Sequence, residues 1–98
     1  MADRVPAGAV VVRVTDEFDE TSTPRALRRA HRIADDVWGV LEVRAGSLRF
    51  VFEDEGDALE LTVGDRLVIP PARLHHVEVD RPVRFVVEFH RVPDTVSA

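Results

Sequence analysis

The chain contains no cysteine, lysine, asparagine, glutamine or tyrosine, and only one tryptophan and one methionine. Without cysteine there is no disulfide framework and no thiolate zinc site. Without lysine there is no Schiff-base nucleophile, so a general acid or base has to be His, Asp or Glu. The 13 basic residues outside the histidines are all arginine, a pattern that codon bias in a GC-rich genome accounts for. No run of about 20 apolar residues exists, so no membrane span is expected. Segment 1–12 lacks a basic stretch followed by a long apolar run, which argues against a secretory signal and makes the cytoplasm the expected location. A net charge of −5 with arginines scattered among carboxylates argues against nucleic acid as a partner. The missing tyrosines remove the usual material of a base-stacking surface.

What is present is a series of short apolar runs separated by turn residues. Val10 to Val14 is β-branched apart from Arg13, and Val37 to Val43 is followed by Ala45-Gly46-Ser47 as a turn. Leu48, Phe50 and Phe52 alternate with Arg49 and Val51, and Leu59, Leu61 and Val63 alternate with Glu60 and Thr62. Between these runs lies the charged loop 53–57, read as a solubilising turn. Gly64-Asp65 turns the chain into Leu67 to Ile69, and His75 to Val79 is joined through Asp80-Arg81-Pro82 to Val83 to Phe89. Several short alternating strands at this spacing predict an all-β sandwich or barrel. The 98 residues suit one domain with a modest core. That domain is expected to span residues 9–91, with 1–8 and 92–98 loosely held, and a homodimer would extend the core.

Segment 24–34 fits the pattern less well. It is rich in helix formers, with Thr23 as a candidate N-cap and Pro24 at the first helical position. As a strand it would place Leu27, Arg29, His31 and Ile33 on one face. Local propensity favours the helix.

Gly64, Pro70 and His75 stand at the spacing of a Gly, five residues, a Pro and a His five positions later. This resembles the second conserved motif of cupins, with Ala72 where a second Gly is usual. Further matching stretches are Pro24 with Leu27 and His31, Val37-Trp38-Gly39, Val43 with Gly46-Ser47-Leu48, His75 to Glu78, and Val83-Arg84-Phe85 leading to Glu88-Phe89. Together these make residues 18–91 resemble the TehB/YeaR-like family of small single-domain cupins. The resemblance implies a jelly-roll β-barrel (double-stranded β-helix), and it implies a strand carrying His31. It also implies a stress or detoxification role of the tellurite-resistance type. The chain departs from the family at Ile33, Ala34 and Asp36, where Thr, Lys and Gly are usual. It departs again at His90, where an aromatic residue is common. The usual first cupin motif, two His one residue apart followed by Glu, is missing, with only His31 near its place.

His31 and His75 are the primary candidate metal ligands, since neutral imidazole is the commonest metal ligand. Glu88 is the third candidate and ranks behind them. If Val79 pairs with Val83 across a three-residue turn, His75 lies opposite Val87 and Val77 opposite Phe85. Val77, Val79, Val83, Phe85, Val87 and Phe89 then share the inner face, and Glu88 points outward together with His90. His76 and Glu78 face away from His75, Trp38 reads as core, and Arg29 as a surface residue. The expected cofactor is a divalent metal ion (Zn, Fe, Ni or Mn), with a small anionic molecule as further partner. Two other readings stay open: a metal-dependent enzyme of oxygenase or isomerase type, and a metal-free module that binds a small ligand.

Overall fold

The computed structural model describes residues 4–93, so the expectation for loose termini falls in part on residues outside it. Among the described residues seven strands form: β1 (Val10–Val14), β2 (Phe18–Asp19), β3 (Val37–Phe52), β4 (Asp57–Thr62), β5 (Arg66–Ile69), β6 (His75–Glu78) and β7 (Val83–Arg91). A single 3₁₀ turn covers Arg25–Arg28. Among the described residues no helix is long and apolar enough to cross a membrane.

β3 organises the molecule. Its first half pairs antiparallel with β7 and β5, and its second half with β4 and β6. β7 in turn carries β1 and β2. The result is two layers that share β3, with β1 and β4 at the ends of the strand order, so the sheet does not close into a continuous barrel. The expected turn at Ala45-Gly46-Ser47 is instead a bulge within this one strand, where the register against β7 shifts between Val43 and Ala45. One extra residue in a ladder moves every later side chain to the opposite face. Leu41 and Val43 before the bulge and Leu48, Phe50 and Phe52 after it therefore all reach the same core. Gly46 makes the bend at φ 69°, and a Cβ there would lie 2.0 Å from the Pro82 carbonyl oxygen.

The expected hairpin between β6 and β7 does not form. β6 pairs with β3 through Phe52↔His75 and Phe50↔Val77, while β7 belongs to the other layer. Val77, Val83, Phe85 and Val87 nonetheless face one interior, because both layers must bury their apolar side against each other. Full burial of rings such as Phe50 and Phe85, both 0% exposed, contributes about 2–3 kcal/mol each. In β4 only Leu61 is buried; Leu59, and Val63 just beyond the strand, are exposed although they share its alternation.

Candidate functional site

His31 lies in neither a helix nor a regular strand. After the 3₁₀ turn the chain extends, and His31 forms an isolated antiparallel bridge with His75. The bridge is reciprocal: His31 N–H donates to the His75 carbonyl at 2.9 Å and His75 N–H to the His31 carbonyl at 2.8 Å. Directly opposed residues in an antiparallel pair send their side chains to the same face. The two imidazoles accordingly meet edge to face with ring centres 4.3 Å apart, and His75 also stacks on Phe50 at 5.2 Å. Thr23 does not cap a helix; it is buried and its hydroxyl donates to the Asp19 carbonyl at 2.6 Å.

Each ring is held by the same local device. Nδ1 of His31 lies 3.0 Å from the Arg29 carbonyl oxygen, and Nδ1 of His75 lies 2.8 Å from that of Arg73. A carbonyl only accepts, so each Nδ1 carries a proton, and in the neutral ring Nε2 keeps its lone pair. Among the described residues no buried polar side-chain atom lacks a hydrogen bond. The Nε2 atoms, which bond to no protein group, therefore reach accessible space. The two histidines line a cavity of about 40 Å³, whose other walls include Leu27, Ile33, Leu41, Phe50, Ile69 and Phe89. Its only other polar side chain is Thr15, whose hydroxyl donates to the Asp16 carbonyl and accepts from Val87 N–H. His75 is 2% exposed. Burial pushes its pKa down to about 4, against the opposing effect of the Arg73 carbonyl, with the charges of His31, His76 and Arg73 adding to the depression. It is neutral at pH 7.

The remaining candidates point elsewhere. The Glu88 carboxylate is not in the cavity; it accepts from Arg66 at 3.1 Å and contacts His90 Nε2 at 3.1 Å. Partial burial opposes its ionisation, but the bonds from His90 and Arg66 outweigh this and lower its pKa. Trp38 lies opposite His90 in the β3–β7 ladder, on the same outer side, and Arg29 is exposed. His76 turns away from the cavity, with Nδ1 2.8 Å from Glu53 and Nε2 2.9 Å from Glu78. Among the described residues no group of three or more His, Asp and Glu side chains converges as a metal site would require. Of the candidate ligands, only His31 and His75 are brought together.

Two features had no clear signal in the sequence. Thr15 follows β1 as an ordinary polar residue, and only its bonds to β7 bring it to the cavity wall. Arg73 holds the loop that was read as a solubilising turn: it donates to both Asp54 oxygens at 3.0 Å and to Glu55 at 2.8 Å, and its guanidinium lies 3.9 Å over the Phe52 ring. It thereby steadies the backbone whose carbonyl orients His75.

Two layers sharing a long bent strand, with histidines aimed between them, define a cupin. The chain belongs to the TehB-like domain family, whose model matches residues 13–87. A protein from E. coli K12 has a similar structure, with a TM-score of 0.84 at 20% identity, covering 93% of this chain and 98% of that one. TehB from Haemophilus influenzae superposes with a TM-score of 0.79 at 18% identity over 88% of this chain, which spans only 32% of that protein. A cupin-2 domain protein from Shewanella frigidimarina gives 0.55 at 18% identity over 91% of this chain and 84% of its own. Among curated proteins none matches.

Proposed function

We propose that this cupin domain holds one divalent metal ion through Nε2 of His31 and His75 and binds a small molecule in the adjoining cavity. The observation that supports this reading is the pair of Nδ1–H bonds to the Arg29 and Arg73 carbonyls, which leaves Nε2 of each ring free of protein partners, with the ring centres 4.3 Å apart. When bound, the ion supplies Lewis acidity toward the cavity. The chain's own contribution is to hold both rings in one tautomer and to surround them with apolar walls. We place the domain in a cytoplasmic stress or oxyanion response of the tellurite type, and we take the working form to be a homodimer.

Elemental analysis of protein purified without an affinity tag tests the metal. About one ion per chain is expected, falling to near zero in both His31→Ala and His75→Ala while circular dichroism stays unchanged. Unaltered metal content in both variants would refute the assignment. The absence of a third protein ligand among the described residues favours one alternative, a metal-free binding module in which the Nε2 atoms accept hydrogen bonds. Protein that arrives metal-free and takes up no added Zn(II), Fe(II), Ni(II) or Mn(II) would establish that alternative.

A further inference from the structure

The cavity has a mouth, and unpaired arginines surround it. Thr15, Leu27, His31, Ile33 and Phe89 are partly exposed, whereas the deeper walls such as Leu41, Phe50 and Val87 are buried. Every arginine from Arg44 onward pairs with a carboxylate. Among the described residues Arg13, Arg25, Arg28, Arg29 and Arg32 pair with none. Segment 24–34 holds four of these five and no carboxylate, and it is the segment that supplies Leu27, His31 and Ile33 to the mouth. The Arg29 carbonyl holds the His31 ring, and Arg32 stands between His31 and Ile33. Arg28 donates to the Glu20 backbone carbonyl, which leaves its charge unbalanced. From β1, the Arg13 guanidinium lies 5.7 Å over the ring of Phe89. In a chain of net charge −5 this is a local excess of positive charge at an apolar opening.

The interior sets how a ligand lies. No Asp, Glu or Arg lines it, and a charged group drawn between apolar walls would lose its water without a partner. An anionic head therefore stays at the mouth, where guanidinium forks match the two oxygens of a carboxylate. Only an uncharged part enters. A water-sized group needs about 10–15 Å³ of such space, so the cavity of about 40 Å³ takes about three carbons.

Resting on the small-molecule part of the reading above and not on the ion, we propose that the site takes a small amphipathic anion, a carboxylate on a short apolar tail. The tail fills the cavity and the carboxylate stays among Arg13 and the arginines of segment 24–34. Butyrate is the probe, with acetate as the anion lacking the tail and butyramide as the tail lacking the charge. Each is titrated into ¹⁵N-labelled protein, as purified and again after dialysis against EDTA, and followed by amide shifts. Butyrate should saturate at one per chain, with shifts centred on His31, Ile33 and Phe89. It should bind about ten-fold more tightly than acetate, since two more methylenes leave water, and at least five-fold more tightly than butyramide. The double variant Arg13→Gln, Arg29→Gln should remove the preference for butyrate over butyramide while butyramide binding holds. Salt should weaken butyrate and spare butyramide in the wild type, a comparison that needs no variant to fold. Butyramide binding as tightly as butyrate, or a charge preference that survives both the double variant and salt, overturns the proposal and leaves the cavity as a small-molecule site. Acetate matching butyrate overturns the role of the tail, and butyrate binding lost with EDTA assigns the anion to an ion and overturns the role of the arginines. Failure of both butyrate and butyramide to bind removes the cavity as a ligand site, and the proposal with it.

Discussion

Ala72 stands where related cupins place a glycine, and it retains the glycine's conformation, with φ 63°. The left-handed region costs a residue with a Cβ about 1–2 kcal/mol, of which the greater freedom of an unfolded glycine takes back about half. Ala72→Gly should therefore stabilise the domain by about 0.5–1 kcal/mol and raise the thermal midpoint by a few degrees in calorimetry. A lowered midpoint would mean that the Ala72 N–H bond to the Ile33 carbonyl depends on the rigidity that alanine provides. His75 makes a second prediction at this scale. Its pKa is about 4 in the fold against 6.5 for the free group, so on acidification the unfolded chain takes up the proton first. Metal-free protein should lose stability between about pH 6.5 and 4, by at most about 3 kcal/mol. His76 has the opposite sign: burial works against its charge, but the bonds to Glu78 and Glu53 raise its pKa. Its contribution is complete below the free value and disappears as pH rises through the raised one. Urea unfolding from pH 4 to 7 should show the acid loss in the wild type and a flattened profile in His75→Leu. An equal acid loss in His75→Leu would assign it to another group.

At the scale of elements, the bulge in β3 carries the architecture, and Gly46 permits it. Gly46→Ala drives a Cβ into the Pro82 carbonyl at 2.0 Å and should cost about 3 kcal/mol or more. Gly56→Ala has a similar φ of 69° but open space around it, so it should cost only about 1 kcal/mol. Chemical denaturation of the pair separates steric from conformational cost; equal losses would remove the bulge from its central role. The bulge also explains what the sequence could and could not reveal. Alternation correctly located Leu48, Phe50 and Phe52, since period-2 burial is a local property of a strand. The change of phase between Val43 and Leu48 looks the same whether the chain turns or bulges, and only the pairing with β7 decides between them. The partner of β6 is likewise a long-range choice: the short Asp80–Pro82 link suggests a hairpin, yet it crosses between layers. The outward direction of Glu88 was legible because the apolar parity of Val83, Phe85 and Val87 holds under either pairing. Local propensity at 24–34 was half informative, giving a 3₁₀ turn over Arg25–Arg28 but not the bridge at His31. That bridge depends on a backbone partner far along the chain.

At the scale of the whole molecule, β1 is an edge strand whose five residues are all exposed. Val10, Val11, Val12 and Val14 are each about half exposed, at 48–53%. β1 pairs with β7 on one side, and among the described residues no strand pairs with its other side. An uncovered apolar edge recruits another strand, and a second copy of β1 satisfies this with two-fold symmetry and no further partner. Light scattering should then give twice the 11.0 kDa of one chain, and the thermal midpoint should rise with protein concentration. Val12→Lys places a charge at the centre of the edge and should yield a monomer with unchanged circular dichroism. A wild-type mass of one chain would refute self-association, and a dimer that survives Val12→Lys would move it to another surface. Because β1 runs directly into Thr15 at the cavity wall, a β1-mediated dimer also braces the site.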